Sequence, residues 1–74
     1  MKIVRTFHFR EEQRADDITE AEIALAWTRP DLERQSQDHP GGRVRTATVP
    51  DGTRVTVVGR LDGDTLILIT TWRH

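Results

Sequence analysis

Residues 44–72, VRTATVPDGTRVTVVGRLDGDTLILITTW, decide the fold. Three β-prone runs lie in this stretch: Val44 to Val49, Arg54 to Arg60 and Thr65 to Trp72. Val, Ile and Thr are enriched in them because β-branched side chains fit a pleated surface. Pro50-Asp51-Gly52-Thr53 and Asp62-Gly63-Asp64 separate the runs. Each separator holds Asp-Gly, a strong short-range hairpin signal, since tight turns need a residue that tolerates positive φ. Connections this short make the strands antiparallel neighbours. Leu66, Ile67, Leu68 and Ile69 are apolar without alternation, as expected where both faces are covered or the strand is central.

Upstream of the meander the pattern turns helical. In Ile18-Thr19-Glu20-Ala21-Glu22-Ile23, Thr19 followed by Glu22 is a capping box, and Ile18 with Ile23 suits a hydrophobic staple. Ala21, Ala24, Leu25 and Ala26 favour a helix, and Ile23 and Trp27 share a face. Pro30 stops the pattern by disfavouring helical backbone just before it. A helix is therefore predicted over 20–28. A second, over 9–15, is carried by Arg10, Glu11, Glu12, Gln13 and Arg14, with the turn at Asp16-Asp17. Ile3-Val4 reads as a short strand or an extended lead-in, and 31–37 as an edge strand or a loop. His39-Pro40-Gly41-Gly42 is a loop. The expected architecture is one α+β domain over 1–74: two N-terminal helices packed on a C-terminal antiparallel β-meander of three to four strands. Ile23, Trp27, Leu66 and Leu68 are the expected core between helix and sheet.

Seventy-four residues make room for one domain and no more. There is no cysteine, so neither a disulfide nor a Cys-based zinc site is available. The start, Met1-Lys2-Ile3-Val4-Arg5-Thr6, lacks the apolar core of a signal peptide, and the run Leu66 to Ile69 is far too short to span a bilayer. A cytoplasmic domain without membrane contact is expected. The net charge of −1 predicts no global attraction to nucleic acid, but the charge is unevenly spread. Residues 1–40 carry nine Asp/Glu against six Lys/Arg, whereas residues 41–74 carry three acids against five arginines. A near-neutral chain can thus present a basic face.

Four features carry candidate chemistry. His8, between Phe7 and Phe9, suits a general acid/base or a phosphate contact, or else a structural histidine at a half-buried position. Arg43 and Arg45 share one face of their strand, as do Arg54, Thr56, Val58 and Arg60 of the next. Together they would form a stripe for phosphates, or a solvated outer face. Thr70, Thr71, Trp72, Arg73 and His74 put hydroxyl, indole and cation side by side. Such a set can hold a nucleotide, or it can be a core Trp flanked by exposed threonines. His39 and His74 show no metal-ligand spacing, and Gly41-Gly42 is not followed by the Lys-Ser/Thr of a phosphate loop. No metal or cofactor is expected.

The order His8, Ile18-Thr19-Glu20-Ala21-Glu22-Ile23, Pro30, Asp62-Gly63-Asp64 and Leu68-Ile69-Thr70-Thr71-Trp72 resembles a widespread family of small bacterial domains related to BrnT and RelE toxins. These belong to the barnase–colicin–RelE ribonuclease superfamily. The resemblance covers nearly the whole chain and implies two helices on a small antiparallel sheet, with metal-independent RNA cleavage by some members. By matching position it assigns His8 and Thr70 to catalysis, with Arg60 or Arg54 on the phosphate. Trp72 falls where an aromatic is expected, and Arg45 and Arg54 join it as substrate contacts. The chain departs from the family where arginines are usual, carrying Glu12 and Asp16 instead. Two functions follow as expectations. One is a toxin-like ribonuclease acting by transesterification on RNA, with a cognate antitoxin or immunity protein as partner. The other is a non-catalytic protein-binding or regulatory module that keeps the fold.

Overall fold

In the computed structural model, which describes residues 1–74, both Asp-Gly turns form as their chemistry requires. Gly52 and Gly63 take φ of 89° and 62°, a region closed to most side chains. Asp51 accepts hydrogen bonds from the Thr53 backbone N–H at 2.9 Å and from its hydroxyl at 2.6 Å. The strands so joined are β3 (Gly42–Thr48), β4 (Arg54–Asp62) and β5 (Thr65–Arg73). They pair antiparallel, β3 with β4 and β4 with β5.

The helices precede them: α1 (Phe7–Ala15) and α2 (Glu20–Thr28). The α2 capping box is complete, with Thr19 Oγ1 accepting from the Glu22 N–H at 3.1 Å and the Glu22 carboxylate accepting from the Thr19 N–H at 3.0 Å. Helix α1 starts two residues earlier than predicted because Thr6 caps it, accepting from the Phe9 N–H at 3.1 Å. The same hydroxyl donates to the Ile69 carbonyl at 3.0 Å, which pins the helix start to β5.

The sheet is larger than expected, and it is mixed. It has five strands in the order β1-β5-β4-β3-β2, where β1 is Lys2–Arg5 and β2 is Leu32–Gln35. Both ambiguous segments are edge strands. β2 pairs antiparallel with β3, but β1 runs parallel to β5, with Ile3 opposite Leu66 and Val4 opposite Ile67. The expected antiparallel meander of three to four strands is present as β2 to β5, and the sheet exceeds it by one strand, β1, which makes it mixed. The reason for the difference is that a parallel partner lies far away in sequence, beyond both helices and the meander, where local turn signals do not reach.

One face of the sheet is covered by the helices, α1 against β5 and α2 against β3 and β4. Phe9, Ile18, Ile23, Ala26 and Trp27 pack there on Ala47, Val49, Val55, Val57, Leu66 and Leu68, so the expected core of Ile23, Trp27, Leu66 and Leu68 forms. Gly59 lets the Trp27 ring lie flat on β4: a Cβ at this position would come within 3.0 Å of two indole carbons.

A β-bulge decides what the other face carries. Along β5, Leu68 pairs with Gly59 but Thr70 pairs with Val58, which leaves Ile69 as an extra residue. The bulge reverses the alternation of the strand. Leu66 and Leu68 point to the helices before it, and Thr71 and Arg73 after it. Strict period-two alternation would have put Thr70 and Trp72 under the helices with Leu66 and Leu68. The bulge turns them, with His74, to the open face. Thr71 takes the buried place and donates its hydroxyl to the Thr56 carbonyl at 2.7 Å. No helix is long and apolar enough to cross a membrane.

Candidate functional site

The arginines of the sheet divide between its faces. Arg45, opposite Val57, lies on the helix side. Its guanidinium stacks 4.1 Å from the centre of the Trp27 ring, donates to the Trp27 carbonyl at 2.6 Å, and pairs with Glu33 of β2. Arg43, opposite Gly59, is on the same side and exposed. The expected four-arginine stripe is therefore split, because β3 and β4 meet in a register that sets Arg43 and Arg45 opposite Gly59 and Val57 rather than beside Arg54 and Arg60. Arg45 is a packing residue here, its Nε and Nη1 taken up by Glu33 and the Trp27 carbonyl.

Arg73 serves a similar structural end. It donates to Glu22 at 2.7 and 3.0 Å, to the Asp17 carbonyl and to Thr53, and it lies 3.5 Å from Asp51. Its hydrogen bonds to Glu22, with the Thr19 N–H, hold that carboxyl down to about 2. Asp16, where the resemblance would place an arginine, accepts from the Arg73 backbone N–H at 3.1 Å and so ties the end of α1 to β5. Its carboxylate is a fold element. Glu12 is half-buried on the same helix.

The open face carries a small cleft of about 140 Å³ between the sheet and the loop that follows β2. Val44 and Val58 form its floor, and Arg34, Asp38, His39, Thr70 and Trp72 surround it. The loop is bent back over the sheet by a closed set of local bonds. Ser36 donates its N–H to the Gly42 carbonyl at 2.9 Å, the Gly42 N–H goes to the His39 carbonyl at 2.8 Å, and the Ser36 hydroxyl accepts from the His39 N–H at 3.1 Å. Gly42 is required here, since a Cβ would fall 2.9 Å from the His39 carbonyl oxygen. The His-Pro-Gly-Gly segment, read from sequence only as a loop, thus brings His39 into the lining of the same cleft as Thr70 and Trp72. The signal available in sequence is a histidine followed by a proline and a glycine pair that leads directly into a strand.

A polar row continues across the same face. Thr46 and Thr56 hydroxyls are 2.8 Å apart, and Thr56 is 3.0 Å from His74 Nε2. The His74 and Trp72 rings lie 6.5 Å apart. Arg54 is half-buried beside this row, opposite Thr48, and its Nε is buried with no hydrogen-bond partner. Arg60 is exposed further along β4, where its side-chain carbons pass Gly41.

Of the residues singled out from sequence, Thr70 and Trp72 share the cleft, and Arg54 and Arg60 share its face. His8 does not join them: it is exposed in the first turn of α1 and lines none of the five principal clefts. No three His, Asp or Glu side chains are grouped so as to hold a metal ion. No family model, curated protein or solved structure matches this chain.

Proposed function

We propose that the open face of the sheet binds RNA and that the chain is a toxin-like, metal-independent ribonuclease domain acting in the cytoplasm. The observation that carries this reading is that His39, Thr70, Trp72 and Arg34 line one cleft, together with Asp38. In transesterification the 2′-oxygen attacks the adjacent phosphorus and the bond to the 5′-oxygen breaks, leaving a 2′,3′-cyclic phosphate. One proton leaves the 2′-hydroxyl and one reaches the departing oxygen. His39 serves this exchange in place of His8, with His74 as a second imidazole on the same face. Arg34 and Arg60 meet the charge on the phosphate. Trp72 stacks on a base and Thr70 hydrogen-bonds to the nucleotide.

The test is cleavage of RNA by the purified protein in the presence of a chelator. Fragments should end in a cyclic phosphate. His39→Ala should slow the reaction by about 10²–10⁴-fold, the usual contribution of a general acid/base, with the circular dichroism spectrum unchanged, while His8→Ala stays within a few-fold of the wild type. Intact RNA, or a loss confined to His8→Ala, overturns the assignment. The exposed, unpartnered position of His8 favours a second reading, a non-catalytic module whose open face binds a protein such as a cognate antitoxin or immunity protein. In that case RNA stays intact and Trp72→Ala abolishes partner capture.

A further inference from the structure

Away from the cleft, a groove of about 510 Å³ runs between α1, the end of β1 and the start of α2. Its lining includes Arg5, Arg10 and Arg14. Two carboxylates, Asp17 and Glu20, also face it, but Glu20 is already held by Arg5 and by Gln13 Nε2 at 2.6 Å. Arg10 is exposed and has no ion-pair partner, and Arg14 has only a surface contact at 3.7 Å with Glu11. The two arginines are one helical turn apart, about 6 Å along the axis, a spacing comparable with the phosphate repeat of an extended strand. Phe7 precedes them on the same stripe, at i, i+3 and i+7. The residue is 78% exposed, although burying a phenylalanine is among the strongest stabilising options open to so small a domain.

From this arrangement we infer that the Phe7–Arg10–Arg14 stripe of α1 is a second RNA-contact surface, which holds the single strand as it leaves the open face. The inference rests on the RNA reading of that face. Thr6 bonds to the Leu68 and Ile69 carbonyls, so Phe7 stands at the sheet margin beside the strand that carries Thr70 and Trp72. A strand crossing that margin meets first an aromatic ring for base stacking and then the unpaired Arg10 guanidinium and that of Arg14, held only by its surface contact with Glu11, for successive phosphates.

A fluorescent 2′-O-methyl oligouridylate, which binds but cannot be cleaved by 2′-oxygen attack, separates this surface from catalysis. Binding is followed by anisotropy over a range of salt concentrations. Arg10→Gln/Arg14→Gln should weaken binding on the order of tenfold at low salt and reduce the slope of log affinity against log salt by about 1.4, two phosphate contacts' worth for a single strand. Phe7→Ala should weaken binding about fivefold or more without changing the slope. All three side chains are solvent-facing, so circular dichroism should confirm that the variants fold. An unchanged slope in the double arginine variant overturns the inference, even if the wild type cleaves RNA. A changed slope in a protein that cleaves no RNA upholds this surface and removes the ribonuclease assignment alone.

Discussion

Arg45 and Arg60 sit on neighbouring strands of one sheet and meet opposite fates. On the helix side, Arg45 is stacked on Trp27 and paired with Glu33, and Arg73 is bound to Glu22, Thr53 and the end of α1. On the open side, Arg60 is exposed and Arg54 keeps a buried Nε without a partner. The helices and β2 bring carboxylates, carbonyls and an indole to the first face, where the half-buried guanidinium groups of Arg45 and Arg73 find acceptors, whereas Arg43 is exposed. The second face has only a short loop over it, so its cations and imidazoles keep unused hydrogen-bonding capacity. The packed interface beneath the helices holds the fold, and the open side leaves polar side chains unengaged.

Substitutions on the helix side should therefore act on stability. The largest effect is expected at Trp27, which joins α2 to β3, β4 and Arg45. Trp27→Ala should cost about 3–5 kcal/mol, enough to unfold a domain of this size, and chemical denaturation would measure it. Retention of native-like thermal stability would mean that the helix side is not the structural one. Gly59→Ala should cost less, about 1–3 kcal/mol, because the new methyl would meet the rigid Trp27 ring and Leu66 at 3.0–3.3 Å. A variant as stable as the wild type would indicate a loosely packed contact between α2 and β4.

The smallest effect concerns Glu22. Its carboxyl is lowered from 4.5 to about 2, first by its hydrogen bonds with Arg73 and then by the Thr19 N–H. A carboxyl depressed by folding contributes stability that is full above its unfolded value and lost as pH falls through its folded one. Acid titration should therefore show stability declining between about pH 4.5 and pH 2. Glu22→Gln should be less stable at neutral pH and should flatten that decline, since the ionisable group is gone. An identical pH profile in Glu22→Gln would assign the decline to other carboxylates.

Local chemistry made much of the framework legible. Thr19 and Glu22 marked the start of α2, and the two Asp-Gly turns marked the meander, because capping and positive-φ turns are decided within four or five residues. The strand character of Ile3-Val4 and of 31–37 stayed open, since each depends on a partner strand distant in sequence or on an edge with no apolar face of its own. Among the residues of the candidate cleft, Thr70 and Trp72 are legible by residue type alone. His39 carries no such mark, because nothing local says that its loop folds back onto β5.

What the sequence by itself determined is the capped helix, the turns and the set of apolar residues that must be buried, all consequences of short-range sterics and of hydrophobic burial. Only the tertiary structure decided which side chains face solvent together. The bulge at Ile69 reverses the alternation of β5, and the pairing of β3 with β4 sends Arg45 to one face and Arg60 to the other. A shift of one residue moves every later side chain to the opposite face. That choice depends on the whole sheet settling over Trp27 and Gly59 rather than on any single segment.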